Sequence, residues 1–218
     1  MILGTICARS GSKGVPRKNL KELDGLPLIL HTYEQATYSK ELDKVIVSTD
    51  DLEIASLFGD VQMRPAELAT DTASKWDVFK YIAECNPQYD ILVDLDTGCP
   101  LRSISDISDC ISKLMTGFDV VVTAYEADRN PYFNMVEVDR SGHAWVCNAQ
   151  DIVNRQDAPK VYSLSPSVFA IKTEALFKYN HWSRAMMGIV EIPRRRGIDI
   201  DTQDDWDYVE YLMRKDAK

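Results

Sequence analysis

The chain has 218 residues, 45% of them hydrophobic and 27% charged, which is enough apolar material for one sizeable core and excludes a disordered tail. Thirty-four acidic residues against twenty-five basic ones give a formal charge of −9, the reverse of the balance a phosphate-backbone contact face needs, so nucleic acid is not an expected partner. Five cysteines (Cys7, Cys85, Cys99, Cys110 and Cys147), odd in number and without a CxxC pair, suggest neither a disulfide framework nor a zinc knuckle, and point to reduced thiols in a cytoplasmic protein.

The opening run Ile2–Ala8 reads as a strand. It lacks a basic leader and is too short for a signal peptide's apolar region. A Gly/Lys/Arg-rich loop follows, then a predicted helix over Leu28–Lys40, a β-branched strand at Lys44–Ser48, and helices at Asp51–Phe58 and Thr72–Cys85. Ile91–Leu95 has the pattern of a buried strand, Ser103–Met115 that of an amphipathic helix, and Asp119–Ala124 that of another buried strand. Strands alternating with helices predict an α/β fold with a mostly parallel sheet covered on both faces. From Tyr132 the rhythm changes: Tyr132–Val138, a turn at Asp139–Gly142 and Ala144–Val146 read as a β-hairpin inside an insertion spanning Asn130–Pro159. The alternation resumes with Val168–Ile171, a helix at Thr173–Tyr179, the run Met186–Ile192 and a closing helix at Asp204–Arg214, so the expectation is one domain with a small insertion. No stretch approaches the roughly 20 apolar residues of a membrane span, and no membrane partner is expected.

Ligands of open α/β sheets bind beyond the carboxyl ends of the strands, which singles out three polar segments. The first, Ala8–Asn19, contains Gly11 and Gly14, whose backbone N–H groups can form an anion nest, and it concentrates Arg9, Lys13, Arg17 and Lys18 in an otherwise acidic chain. A triphosphate suits it, although it is neither a Walker A loop nor GxGxxG; the alternative is a solvated basic turn. The second, Gly197–Thr202, places Asp199 and Asp201 on one side of an extended segment, about 7 Å apart by strand rise, where both can face one hard cation. Alternatively, Asp201 or Thr202 caps the helix that follows. The third, Asp94–Arg102, pairs Asp94 and Asp96 on one face, for a metal, a sugar hydroxyl or neither, with Arg102 placed for a carboxylate-bearing ligand or a helix start. The three histidines are isolated, and no Ser/His/Asp or Cys/His arrangement assembles from these motifs.

Taken together and in order, these motifs resemble the cytidylyltransferase family that makes CMP-sialic acid and related CMP-activated nonulosonic acids. ARSGSKGVPRKNL resembles the family's nucleotide loop, VIVSTDD its second strand, RPAELATDTAS its base-side segment, PLR the end of its central strand, and IDIDTQDDW its metal segment. Asn130–Asn134 and Arg155–Tyr162 are closest to bacterial branches handling legionaminic- or pseudaminic-type sugars. The resemblance implies a Rossmann-like nucleotidyltransferase domain whose insertion mediates a homodimer. It implies CTP and a 2-keto-3-deoxy sugar acid as substrates, Mg²⁺ as cofactor, and attack of the anomeric hydroxyl on the α-phosphorus with release of pyrophosphate.

By the same resemblance Arg9, Lys18, Asp199 and Asp201 are catalytic, with Asp199 and Asp201 as the metal carboxylates. Ala8, Arg9, Gly11, Ser12, Gly14, Lys18, Asn19, Arg64 and Ala73 belong to the nucleotide pocket, and Asp96, Arg102, Arg155 and Tyr162 to the sugar side. The chain departs from the family where Asp96-Thr97-Gly98-Cys99 replaces the common Gln-Pro-Thr-Ser, where Ser165-Pro166 replaces Asn-Gly, and where Lys75 replaces a frequent serine. These changes bear on sugar preference more than on phosphate chemistry. Rival readings are a CMP-KDO-type or other sugar nucleotidyltransferase, and a non-catalytic nucleotide-binding protein.

Overall fold

The structure is a computed structural model that describes residues 1–12 and 14–216. It begins with β1 (Ile2–Cys7), the loop singled out above, a two-residue-per-strand hairpin β2 (Glu22–Leu23) and β3 (Leu26–Pro27), and α1 (Leu28–Tyr38). β4 (Lys44–Thr49), α2 (Leu52–Ala55), β5 (Val61–Met63), α3 (Lys75–Cys85), β6 (Ile91–Leu95), α4 (Ile104–Leu114) and β7 (Val120–Glu126) follow. An excursion carries β8 (Val136–Val138) and β9 (Ala144–Val146), after which come β10 (Tyr162–Lys172), α5 (Thr173–Lys178), β11 (Met187–Glu191) and α6 (Gln203–Asp216).

Seven strands form one sheet in the order β11-β7-β10-β6-β1-β4-β5. β1 runs parallel to β4 and β6, β4 to β5 and β7 to β11, whereas β10 is antiparallel to both β6 and β7. The interior strands are buried on both faces, which is why they read as continuous rather than alternating apolar runs. Helices α1 and α4 pack on one face with Ile29, Ala36, Ile107 and Leu114, and α3 and α5 on the other with Trp76, Phe79, Ile82 and Leu176.

Several local expectations are corrected. The segment expected as Val168–Ile171 is an eleven-residue strand, because the chain returns from the excursion without a crossover helix and enters the sheet from the opposite end. Pro166 lacks an N–H, yet it sits in this central strand because the register slips between Ser165 and Phe169. The Thr123 hydroxyl closes the gap, donating to the Ser165 carbonyl at 2.9 Å and accepting from the Val168 amide at 3.1 Å. The helix expected over Asp51–Phe58 is one turn, since only Ile54 of it is buried while Leu52 is exposed. The strand expected from Tyr132 starts at Val136, because Asn130 folds the preceding residues into a turn, its side chain accepting from the Tyr132 amide at 2.9 Å. β5 was not anticipated, being only Val61–Met63.

A third apolar cluster stands apart from the sheet. Val15 from the glycine loop, Leu23, Leu28, Ile200, Trp206 and Val209 are all buried in it, so apolar packing helps hold the N-terminal loop against the segment before α6.

Candidate active site

The glycine loop leaves β1 over the carboxyl ends of the strands. The Ala8 amide still bonds the Ser48 carbonyl at 3.0 Å, and Ser10 donates through its backbone and hydroxyl to Asp50 at the end of β4, at 2.9 and 2.7 Å. Arg17 adopts a left-handed conformation (φ 52°), which turns the chain into a single 3-10 turn carrying Lys18 and Asn19. Asn19 is buried; its amide donates to the Arg9 carbonyl at 3.1 Å and accepts from the Thr97 hydroxyl at 2.8 Å, tying the loop to the end of β6. Arg9 pairs with Asp71 at 2.5 Å.

The C-terminal segment meets this loop directly. The Lys18 ammonium donates to the Ile200 carbonyl at 2.6 Å and lies 3.8 Å from an Asp201 carboxylate oxygen. Gly14 packs so closely on the Asp201 carbonyl that a Cβ there would overlap it, and a Cβ on Gly98 would overlap the Asp199 carboxylate. The cap of α6 falls to Thr202, whose hydroxyl accepts from the Asp205 amide at 3.2 Å while Asp205 accepts from the Thr202 amide at 2.8 Å. Asp201 is thereby left out of the cap, its side chain 76% exposed.

A cluster at the end of β6 completes the site. Lys75, on the first turn of α3, places its ammonium 2.8 Å from carboxylate oxygens of both Asp94 and Asp96. Asp94 is fully buried and accepts from the Thr5 hydroxyl at 3.1 Å; Asp96 accepts from the Gly98 amide at 2.9 Å. Burial opposes ionisation of Asp96, but Lys75 outweighs it and brings the carboxyl down to about 2. Burial likewise opposes the Lys75 charge, yet Asp94 and Asp96 hold it protonated well above the ordinary lysine range. Asp199 shows the reverse: burial, with the charges of Asp96 and Asp201 added, pushes its carboxyl up to about 7 against the pull of Lys18. Burial, helped by Asp94, also pushes the Cys7 thiol up, so it offers no thiolate nucleophile.

Three of the larger hollows among the described residues adjoin these groups. A cleft of about 280 Å³ is lined by Arg9, Gly11, Ser12, Gly14, Lys18, Asn19, Asp96, Thr97 and Asp201. Sharing Cys7, Arg9 and Asp96 with its lining is a hollow of about 270 Å³ bearing Arg64, Leu68, Thr70, Ala73 and Lys75. On the other side of the carboxylate segment, Asp199 lines a hollow of about 700 Å³ with Tyr125, Leu164, Pro166, Arg194, Arg195 and Tyr208. Arg196, 3.3 Å from the buried Asp106 at the start of α4, holds this turn in place.

The cationic loop and the carboxylates therefore converge, as the sequence led one to expect. Asp199 and Asp201, however, line different hollows, with buried Ile200 between them. Ala8 is buried beneath the loop, Arg17 pairs outward with Glu53, and Lys13 lies outside the described residues. Three residues expected on the sugar side, Arg102, Arg155 and Tyr162, lie outside the lining of these hollows. Arg102 is buried, its guanidinium taken by the Ser167 hydroxyl at 3.2 Å, the Asp96 carbonyl at 2.5 Å and the Gln35 side chain at 3.3 Å, so it braces the end of β6 instead of facing ligand. Arg155 donates to the Asp128 carbonyl at 3.1 Å and lines a separate hollow beside Asn130. Tyr162 donates to Glu191 at 3.0 Å, and neither residue lines any of the three hollows. Lys75, Arg194 and Arg195 were not anticipated as lining residues; Lys75 showed only as a departure from a family pattern, and the basic run Arg194–Arg196 ahead of the Asp199 segment went unread.

The donor set suits a hard cation. One Asp199 carboxylate oxygen is buried without a hydrogen-bond partner among the described residues, the state of an oxygen waiting for a positive ligand. Among those residues no cluster of three or more His, Cys, Asp or Glu closes around an ion. Mg²⁺ does not need one, because it takes one or two carboxylates and fills its remaining positions with water and phosphate oxygens.

A family model described as cytidylyltransferase matches residues 3–197. The post-translational flagellin modification protein B of Campylobacter coli is 34% identical over 98% of this chain and 95% of its own. The CMP-N,N'-diacetyllegionaminic acid synthase of Campylobacter jejuni is 33% identical over 97% and 94%. An N-acylneuraminate cytidylyltransferase of Streptococcus agalactiae is 30% identical over 94% of this chain, which spans 51% of that longer protein. Among solved structures, a CMP:2-keto-3-deoxy-manno-octonic acid synthetase complexed with CTP superposes with a TM-score of 0.75 at 18% identity, covering 99% of both chains. The 4-diphosphocytidyl-2C-methyl-D-erythritol synthase of Anaerococcus prevotii superposes with a TM-score of 0.71, also at 18% identity, over 98% of both. The architecture is thus the Rossmann-like one of these nucleotidyltransferases, and by its sequence the chain belongs to the cytidylyltransferase family.

Proposed function

We propose that the protein transfers the cytidylyl group of CTP to the anomeric hydroxyl of a nonulosonic acid of the sialic, legionaminic or pseudaminic type, releasing pyrophosphate. The observation that carries this reading is the contact of Lys18 with Ile200 and Asp201, which sets a cationic, amide-lined loop against a carboxylate segment across one cleft. Such a displacement needs alignment and charge neutralisation rather than a protein nucleophile. Arg9 and Lys18 neutralise the triphosphate, the Gly11–Gly14 backbone cradles it, and Arg64 and Ala73 flank the base. Asp199 and Asp201 would hold Mg²⁺, which when bound supplies charge neutralisation at phosphate oxygens.

The acceptor is placed in the hollow beyond Asp199. A sugar acid needs a cation for its carboxylate and flat walls for its ring; Tyr125, Pro166 and Tyr208 supply the walls, and Arg195 and Arg194, the latter exposed and also paired with Asp128 at 2.5 Å, supply positive charge next to the carboxylate segment. The sequence relationship to a legionaminic acid synthase along nearly the whole chain supports this substrate class.

The working form is proposed to be a homodimer in the cytoplasm. The β8–β9 hairpin leaves Met135, Val136, Val138 and Trp145 exposed, apolar surface that a second copy would cover. All five cysteines are free, as a reducing compartment requires. Among the described residues no helix is long and apolar enough to cross a membrane.

The test is a pyrophosphate-release panel with each NTP, with and without Mg²⁺, against sialic, legionaminic, pseudaminic and KDO acids. Release with CTP, Mg²⁺ and a nonulosonic acid is expected. Release with KDO alone would replace the proposed acceptor, and no release from any pair would leave only nucleotide binding. Light scattering reads the oligomeric state.

A further inference from the structure

We propose that Asp96, held in place by Lys75, reads the ribose of the nucleotide and makes the site select a ribonucleoside over a 2'-deoxyribonucleoside triphosphate. This rests on the cytidylyltransferase reading and extends it to a group that phosphate and base recognition leave unexplained. The argument begins with position. The phosphate-suited cleft and the base-side hollow share three lining residues, Cys7, Arg9 and Asp96. A nucleotide laid across both puts its sugar at that shared wall. Arg9 can only donate and already pairs with Asp71, and Cys7 presents a protonated thiol, a weak partner. Asp96 alone of the three offers strong acceptors for hydroxyl protons, and it does not line the hollow assigned to the acceptor sugar.

Capacity agrees with position. The Asp96 side chain is 24% exposed, with one oxygen accepting from the Gly98 amide and the other contacting the Lys75 ammonium. A carboxylate has about four acceptor sites, so one remains on each oxygen for the vicinal hydroxyls of a ribose. A bare carboxylate here would face a polyanionic ligand at a cost. Lys75 offsets that charge, and its second contact, to the fully buried Asp94, keeps the ammonium from following the phosphates. Lys75 is therefore a positioning residue: it fixes which way the Asp96 oxygens point and keeps them as acceptors.

Calorimetric titration of the intact protein with CTP, 2'-deoxy-CTP and 3'-deoxy-CTP tests this without any acceptor sugar. A hydroxyl bonded to a charged group discriminates by about 10–100-fold, so wild-type protein should bind CTP that much more tightly than 2'-deoxy-CTP. Asp96→Ala should collapse the ratio toward unity by weakening CTP while leaving 2'-deoxy-CTP unchanged or tighter, and Lys75→Gln should lower the ratio too. A merely structural role would weaken all three nucleotides together and leave the ratio intact, which would overturn the proposal. So would equal binding of CTP and 2'-deoxy-CTP by the wild type, a measurement that needs no variant. If Asp96→Ala does not fold, Asp96→Asn serves, with a reduced ratio expected and an unchanged one counting against. Absence of binding by all three nucleotides would sink the cytidylyltransferase reading itself, a result distinct from equal binding.

Discussion

Lys18 and Ile200 are 182 positions apart in the chain, yet the ammonium of one sits 2.6 Å from the carbonyl oxygen of the other. That bond aims the cation along the carboxylate segment and fixes where a phosphate would be met. Lys18→Ala should cut kcat/KM for CTP by about 10²–10³-fold, the usual loss when one preorganised charge donor is removed. Steady-state pyrophosphate release measures it, and a thermal midpoint within a few degrees of wild type would separate the effect from unfolding.

Asp199 predicts a pH dependence of defined sign. Its carboxyl rises from an ordinary 3.8 to about 7, so between those values the folded chain holds a proton that the unfolded chain has released. Stability from this group is therefore greatest at low pH, falls as pH rises through that window, and levels off above it. Asp96 acts oppositely: its hold at about 2 stabilises above the ordinary value and is lost as pH falls toward 2. Because a cation competes with the Asp199 proton, Mg²⁺ affinity should rise by up to about tenfold per pH unit below 7 and then flatten. Asp199→Asn should abolish that dependence and raise the midpoint of the metal-free protein at pH 8. Thermal melts across pH with and without Mg²⁺ read both.

Glycines in and beside the loop offer a test with an internal control. Gly14→Ala places a methyl group into the Asp201 carbonyl, whereas the space around Gly11 is open. Gly14→Ala should raise the KM for CTP by an order of magnitude or more, while Gly11→Ala should stay close to wild type. Equal behaviour of the two variants would contradict the close approach of loop and carboxylate segment.

Arg194 and Arg195 should register on the acceptor alone. Replacing either with Ala should raise the KM for the sugar acid about tenfold or more while leaving the KM for CTP within about twofold, as loss of a charge-assisted contact to a carboxylate requires. A shift in the CTP constant instead would move the acceptor elsewhere.

What could be read from the sequence was local. The glycine loop and the Asp199–Asp201 segment are each contiguous, and each follows a recognisable strand or precedes a recognisable helix, so both could be picked out as candidates without a structure. The same holds for the alternation that made the sheet parallel. The direction of β10 did not show, because it depends on the route taken by the excursion and not on any residue within the strand. Arg102 was misplaced for a related reason: a guanidinium at a strand end is available to ligand only if no internal acceptors reach it, and Ser167, which does, comes from β10. Lys75 and Asp96 each stood out as departures from the family pattern. That they are one ion pair depends on α3 opening beside the end of β6, a relationship no local pattern encodes.

The small apolar cluster of Val15, Ile200 and Trp206 carries a further consequence. It lies outside the two clusters packed against the sheet and joins the loop and the carboxylate segment to α6, while Asn19 and the Ile200 amide also tie these segments to the residues following β6. Because its members come from both the glycine loop and the segment before α6, a substitution such as Trp206→Ala should disturb both sides of the cleft together while the two clusters packed against the sheet keep their own contacts.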